Sequence, residues 1–301
     1  MWFLLQCIFI NIISKQLKKR RMSHWPKPVL LLRRGLVDPP AISSFEWIQN
    51  ETVASSLPFV TSAVASYLSL TLLLHHGRLL VPLPSAFSLR LLSCLHNLLL
   101  LVLSAAMAAG CYLAALSQMP SLSWLLCFPP STPPRGPVFF WAHVFYLSKI
   151  YEFLDTALIL LSADRGRRRL SFLHVYHHAV VVVMSYLWLA TRQSLLPVAL
   201  VTNATVHVAM YGYYLSASLG WRWSRRWKRA VTRLQIAQFV FSFVASVCFL
   251  WLHVAGKGCE GMKGWVFNAV FNASLLALFL DFHSASYDVG DGGVRKEKRE
   301  L

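Results

Sequence analysis

The sequence predicts an all-α fold, a polytopic membrane helix bundle of about seven transmembrane helices. Its composition supports this fold class, because 56% of the 301 residues are hydrophobic and only 14% are charged. Soluble globular domains carry about 25% charged residues. Apolar runs of about 20 residues, the length that crosses a bilayer, also recur along the chain. An ordinary soluble domain is therefore excluded.

The apolar runs define seven expected spans. We treat them as one domain, residues 57–282, because no internal repeat or low-complexity stretch divides it. An N-terminal extension, residues 1–56, is expected to be poorly ordered, and a basic tail covers residues 283–301. Residues 1–21 form either an amphipathic surface segment or an upstream extension of a chain that starts at Met22, and we favour the second interpretation. In chain order, the spans are 57–76, 91–116, 138–160, 174–190, 195–215, 234–254 and 264–282.

Lysine and arginine are distributed unevenly among the loops. The loops after spans 1, 3 and 5 and the C-terminal tail hold sixteen of them, whereas the loops after spans 2, 4 and 6 hold four. Cytosolic loops of membrane proteins carry an excess of Lys and Arg, so the first set is expected to face the cytosol. Seven spans then place the N-terminus on the opposite side, although eight basic residues before span 1 argue against this. Membrane topology accounts for the basic loops, and no nucleic-acid partner is expected.

The six cysteines show neither a CxxC motif nor another paired spacing. Such spacings are typical of zinc sites and of disulfide frameworks. We therefore expect neither kind of structure in this chain.

Span 3 carries three ionisable residues, Lys149, Glu152 and Asp155, at positions i, i+3 and i+6. Ionisable side chains inside a membrane span are costly and nearly always face the bundle interior or a water-filled cavity. These residues therefore predict a polar site within the bundle. The alternative is a self-neutralising pair of Lys149 and Glu152 that only fixes the packing of the helix.

Span 4 begins with three histidines, His174, His177 and His178, in the sequence HVYHH. Positions i, i+3 and i+4 lie on one face of a helix. A single membrane histidine is usually a packing residue, but three on one face favour a joint functional surface.

Span 5 contains the sequence NATVHVAMYGYY, in which Asn203, His207, Tyr211 and Tyr214 follow one helix face at i, i+4, i+8 and i+11. An aromatic belt at the membrane interface would explain the two tyrosines. It would not explain Asn203 or His207, which therefore favour a site.

Span 6 begins with TRLQIAQF, where Thr232, Gln235 and Gln238 recur at every third residue. Glutamines within spans can also serve only as contacts between helices. Spans 3 to 6 nevertheless place their polar groups at one depth, near the end of the bundle that is expected to face the cytosol. This agreement predicts a polar cavity that opens to the cytosol beneath basic loops.

Imidazoles in such a cavity can bind a metal, act as general bases or act as nucleophiles. Carboxylates beside them can fix their tautomer and raise their basicity. Arginine-rich loops at the cavity mouth favour an anionic, phosphate-bearing substrate, and the apolar bundle behind would hold a lipid tail. The residues therefore favour an enzyme that acts on the polar head of an amphiphile, such as an acyl thioester.

Four segments together resemble the ELO family of very-long-chain fatty acid elongases, with most similarity to plant members. HxxHH alone is a weak signal, whereas the four segments in this order and spacing, within residues 130–282, are highly specific. The resemblance implies a bundle that encloses an acyl tunnel. It also implies condensation, the step in which a long-chain acyl-CoA and malonyl-CoA give a 3-oxoacyl-CoA, CO2 and CoA. The segments are KIYEFLDT (149–156), HVYHH (174–178), NATVHVAMYGYY (203–214) and TRLQIAQF (232–239).

By this resemblance, His177 would accept the acyl group as an acyl-imidazole, and His207 would bind or activate the second substrate. His174 and His178 would orient groups and transfer protons. The resemblance implies no cofactor and no metal ion, and a cysteine-based mechanism is not expected because the four segments contain no cysteine. The substrate-binding and supporting residues would be Lys149, Glu152, Asp155, Asn203, Tyr211, Tyr214, Gln235 and Gln238.

The implied partners are the lipid bilayer, acyl-CoA, malonyl-CoA, and the ketoreductase, dehydratase and enoyl reductase that process the product. Assembly of this chain into a homo-oligomer is compatible with the resemblance. The chain ends in KREL, which is similar to retrieval signals of the endoplasmic reticulum on either side of its membrane. We therefore expect a multi-pass protein of that membrane with a cytosolic C-terminus.

Two other functions are weighed against this one. A membrane di-iron desaturase or hydroxylase also uses an HxxHH box, but it needs several further histidine-rich boxes. Here only His143 and His207 lie near the same depth, and His75 and His76 form a bare pair at the end of span 1. A seven-span receptor or transporter fits the number of spans, but it does not require histidines, carboxylates and glutamines at one face.

Overall fold

The computed structural model describes residues 25–77, 84–162 and 170–288. Within these ranges the regular structure is helical, and the β-structure is limited to an isolated bridge between Glu46 and Arg135. The predicted all-α fold is therefore confirmed. The α-helices are α1 (Lys27–Leu36), α2 (Pro40–Ser43), α3 (Leu57–His75), α4 (Ala86–Gln118), α5 (Pro137–Tyr151), α6 (Phe153–Leu161), α7 (Phe172–Ala190), α8 (Leu196–Ser218), α9 (Arg225–Ala255) and α10 (Met262–His283), with a 3₁₀ turn at Leu122–Leu125 and a π-helical turn at Ser284–Asp288.

Each expected span corresponds to helical residues, but the count of seven transmembrane helices is not confirmed. Within the described ranges, five helices are long and apolar enough to cross a membrane, namely α3, α4, α7, α9 and α10. Helix α8 has 23 residues, but its polar side chains lower its hydropathy. Helices α5 and α6 have 15 and 9 residues, and each is shorter than the roughly 20 residues that cross a bilayer.

Serine side chains cap three of the membrane helices, including α4, where Ser85 accepts a hydrogen bond from the N–H of Ser88. Ser56 accepts a hydrogen bond from the backbone N–H of Phe59 at the start of α3, and Ser171 accepts one from the N–H of His174 at the start of α7. The first N–H groups of a helix have no partner within the helix, so such a cap stabilises its first turn. The cap at Ser171 therefore fixes the turn that carries the histidine box.

The third expected span is interrupted at Glu152. Helix α5 ends at Tyr151 and α6 begins at Phe153, and the N–H of Asp155 bonds to the carbonyl of Glu152 at 3.0 Å. Irregular backbone at membrane depth is tolerated where it lines a cavity, and Glu152 lines one. The interruption corrects the expectation that Lys149, Glu152 and Asp155 follow one continuous helix.

The bundle is organised around α4, which forms its most extensive interface with α8. Helix α5 packs against α4 and α7, and α10 packs against α7 and α9. The close approach of α4 and α5 depends on Gly110, because a Cβ atom there would overlap the indole of Trp141. These contacts bring α5 to α9, the elements with the polar residues, around a common space.

A disulfide bond joins two of the loops at one end of the bundle. Cys127, in the loop between α4 and α5, is bonded to Cys259, in the loop between α9 and α10. The expectation that the cysteines form no disulfide framework is wrong for this pair. The partners are 132 residues apart, and only the folding of the bundle places them together. Close by, Arg192 forms a salt bridge with Glu260 at 2.9 Å.

Residues 25–56, which belong to the extension predicted before span 1, pack on the bundle in the structure. The indole of Trp47 is buried and lies against the rings of His143 and Tyr146. The phenol of Tyr146 donates a hydrogen bond to the carbonyl of Ala54 at 2.8 Å. Outside the described residues lie the predicted upstream segment 1–21, the arginines of the loop 163–169 and the C-terminal residues 289–301.

Candidate active site

A cavity of about 760 Å³ lies among α4, α6, α7, α8, α9 and the end of α10. This volume falls within the range of roughly 300–1,000 Å³ that is typical of small-molecule sites. Two of the twelve predicted site residues, Lys149 and Tyr211, do not line the cavity. They bond instead to residues that do line it. The other ten line it: Glu152, Asp155, His174, His177, His178, Asn203, His207, Tyr214, Gln235 and Gln238.

The three histidines of the box have different surroundings. The rings of His174 and His178 lie 4.3 Å apart between centroids, and Nε2 of His174 is 2.9 Å from the hydroxyl of Thr156. In His177, Nδ1 is buried and has no hydrogen-bond partner among the described residues. His177 thus lies in the cavity wall with a ring nitrogen that no described side chain engages.

Lys149 and Glu152 form a buried charge pair that contacts His207 on α8. The ammonium group of Lys149 donates to Oε1 of Glu152 at 2.7 Å and lies 3.2 Å from Nδ1 of His207. Lys149 and Glu152 are each only 1% exposed. Because a buried charge is costly without a partner, each of these two residues requires the other. The pair also holds His207 in place at the cavity wall.

Asp155 accepts hydrogen bonds from two other helices. Oδ1 is 2.8 Å from Nε2 of His96 on α4, and Oδ2 accepts a bond of 2.8 Å from the phenol of Tyr211 on α8. His96 is buried. The sequence interpretation did not include His96, although an ionisable residue in the middle of an apolar run was a signal that could have found it.

Amide side chains line the cavity beside His177. Nδ2 of Asn203 donates to Oε1 of Gln238 at 3.4 Å, and Gln235 donates to the sulfur of Met210 at 3.5 Å. A second cavity of about 20 Å³ continues from His177, Asn203 and Gln238 toward the disulfide-bonded loops. The side chains of Asn203 and Gln238 therefore line both cavities, next to His177.

Three groups near the box could hold a metal ion. Ligand atoms of Glu152, Asp155 and His178 lie within 4.8 Å of one another. The ammonium of Lys149 already occupies one oxygen of Glu152, and it would repel a cation. His143, which could have extended a di-iron set, lies outside the cavity lining and bonds to the carbonyl of Val53 at 3.0 Å. The arrangement therefore suits acid–base and nucleophilic chemistry better than a di-iron centre.

Comparisons with known proteins agree with the geometry. The sequence profile of the GNS1/SUR4 (ELO) family matches residues 52–299. The chain is 29% identical to a protein named fatty acid elongase 3-like from Arabidopsis thaliana. That alignment spans 268 residues and covers 82% of this chain and 89% of the relative. The chain is also 29% identical to fatty acid elongase A of Dictyostelium discoideum over 256 residues, an alignment that covers 82% of this chain and 89% of that relative. A shorter alignment with very long chain fatty acid elongase 5 of Xenopus laevis shows 32% identity over 159 residues. It covers 51% of this chain and 50% of that relative.

Proposed function

The chain belongs to the ELO family, and we propose that it is a condensing enzyme of fatty acid elongation, a 3-oxoacyl-CoA synthase. It would join a long-chain acyl-CoA with malonyl-CoA and release CO2 and CoA. The observation that carries this proposal is the convergence of four buried or half-buried imidazoles on one cavity. The relatives named as fatty acid elongases support the class of reaction.

The first half-reaction assigns the acyl group to His177. A ring nitrogen of His177 attacks the thioester carbonyl, the carbon–sulfur bond breaks, and CoA leaves as a thiol after it takes up a proton. His178 lies beside His177, and His174 lies beside His178, so these two imidazoles can carry this proton. The amide donors of Asn203 and Gln238 lie in the same wall and would stabilise the negative charge that develops on the carbonyl oxygen.

The second half-reaction assigns malonyl-CoA to the His207 side of the cavity. Loss of CO2 from the malonyl group leaves an enolate, whose carbon attacks the acyl carbonyl and displaces the His177 nitrogen. His207, held by Lys149 and Glu152, would bind this substrate and stabilise the enolate oxygen. The product is a 3-oxoacyl-CoA, which a ketoreductase, a dehydratase and an enoyl reductase would have to process.

The proposed location is the membrane of the endoplasmic reticulum, with the cavity facing the cytosol. The disulfide supports this orientation, because such bonds persist in oxidising compartments such as the lumen of that organelle. Cys127 and Cys259 lie in loops at the end of the bundle remote from the histidine box. The orientation follows the charge asymmetry of the loops.

Purified protein in detergent or liposomes tests the proposed reaction. With a long-chain acyl-CoA and radiolabelled malonyl-CoA, we expect label in a 3-oxoacyl-CoA and one CO2 for each product formed. A folded protein that forms no such product over a range of acyl lengths would refute the proposed function.

Protease treatment of intact microsomes tests the orientation. A tag at the C-terminus should be removed, whereas a tag at the N-terminus should be protected. The opposite pattern would place the histidine box at the lumenal face, away from cytosolic acyl-CoA, and would refute the orientation.

A further inference from the structure

His96 lies on α4, outside the four segments that resemble the ELO family. Its imidazole is buried at 4% exposure and stacks on the ring of Tyr151, with centroids 5.2 Å apart. Stacking fixes the plane of the ring, and Nε2 then points at Oδ1 of Asp155 at 2.8 Å. The other ring nitrogen, Nδ1, is buried and has no partner among the described residues. The contact with Asp155 is therefore the polar interaction that explains a histidine at this depth.

Asp155 links this contact to the cavity. Its second oxygen accepts the phenolic proton of Tyr211 at 2.8 Å, so two donors from two helices hold the carboxylate. A carboxylate that accepts hydrogen bonds from two directions is restricted in orientation. An oxygen of Asp155 also lies within 4.8 Å of a ring nitrogen of His178. The held carboxylate is thus positioned to stabilise positive charge that forms on the histidine box.

We propose that His96 is a positioning residue, which holds the Asp155 carboxylate toward His178 by donating a hydrogen bond from Nε2. The proposal rests on the proposed function, because it assigns a role in the same condensation. When His178 takes up a proton during acyl transfer, the oriented carboxylate stabilises the imidazolium. His96 does not line the cavity, so its loss should affect turnover and leave the binding of acyl-CoA almost unchanged.

Two amide substitutions of equal polarity test the role. In His96→Gln the side-chain NH2 can reach the place of Nε2, whereas in His96→Asn the shorter side chain cannot. We expect His96→Gln to retain kcat within about 3-fold and His96→Asn to lose kcat by about 10–100-fold, the usual cost of removing an orienting partner. The KM for acyl-CoA should stay within about 2-fold in both. In an Asp155→Asn background the two variants should have the same activity, because the carboxylate they position is gone.

His143→Gln is the matched control, because His143 is also buried in a helix but bonds to a backbone carbonyl outside the cavity. Its kcat per folded molecule should equal that of the wild type. Equal activities of His96→Gln and His96→Asn, or losses that only follow the folded fraction in size-exclusion chromatography, would overturn the role of His96. A wild-type protein without condensation activity would overturn the proposed function and this inference together.

Discussion

The two ends of the bundle use polar side chains in opposite ways. At the cavity end, around the first turns of α7, polar side chains bond to one another across helices, as Lys149 does with His207 and Asp155 does with Tyr211. At the disulfide end, around Cys127 and Cys259, polar side chains bond largely to backbone groups, as Ser194 does with the carbonyl of Glu260 and the N–H of Phe128. His143 and His207 show the contrast within one residue type: both are buried, but His143 is bonded to the carbonyl of Val53 and His207 to charged side chains.

The bonding partner, and not burial, therefore distinguishes these two histidines. A side chain whose partner is the backbone contributes to packing and leaves little free chemistry. A side chain whose partners are other titratable groups can exchange protons with them.

Replacing His177 should have the largest effect on activity. We expect His177→Ala to lose condensation by at least about 10³-fold, because removal of a nucleophile typically costs several orders of magnitude. Labelled malonyl-CoA incorporation measures the loss. Mass spectrometry of the wild type after incubation with acyl-CoA alone should show an acyl adduct within residues 174–178.

The folded state of the variant provides the control. His177→Ala should elute in detergent like the wild type, because its Nδ1 makes no hydrogen bond among the described residues. A folded and active His177→Ala enzyme would exclude the covalent mechanism. Normal turnover of the wild type without an adduct would instead favour direct transfer between two bound substrates.

Breaking the buried charge pair should have the next largest effect. We expect Lys149→Met to lower the free energy of unfolding by about 3–5 kcal/mol, because it leaves the carboxylate of Glu152 buried without its cation. Thermal unfolding in detergent measures the change. The double variant Lys149→Met with Glu152→Gln should regain part of the loss, since no charge is then left unpaired. Equal free energies of unfolding for Lys149→Met and the wild type would show that the pair of Lys149 and Glu152 does not stabilise the fold.

The sequence predicted the cavity end better than the disulfide end, for a physical reason. Membrane spans are apolar, so Glu152, His177 and Asn203 were conspicuous, and their spacing already placed them on helix faces. The interruption at Glu152 was not predictable from residue spacing, because a helix break depends on the cavity beside it. The pairing of Cys127 with Cys259 has no local signature at a separation of 132 residues. The bond between His96 and Asp155 could not be predicted from residue spacing, because the two residues lie on different helices.

Removing the disulfide should affect stability and spare the chemistry. We expect Cys127→Ser to lower the free energy of unfolding by about 2–4 kcal/mol, the usual contribution of a disulfide, with kcat of the folded protein within about 2-fold. Cys94→Ser is the control, because Cys94 is a free, half-buried cysteine, and it should leave stability unchanged. A loss of kcat in folded Cys127→Ser would show that the two ends are coupled. Equal melting temperatures with and without reductant would show that the bond contributes nothing.

Metal removal should have the smallest effect, and it probes the cavity end where Glu152, Asp155 and His178 could offer three ligand atoms. The proposed reaction uses imidazoles for acyl transfer and proton transfer, and the ammonium of Lys149 supplies positive charge beside Glu152 at 2.7 Å. We therefore expect condensation activity to stay within about 20% after exhaustive dialysis against EDTA and an iron chelator, since every step is assigned to a protein group. Elemental analysis of the active protein accompanies the assay. Stoichiometric iron whose loss abolishes activity and whose return restores it would assign the cavity to a metal centre and refute the imidazole mechanism.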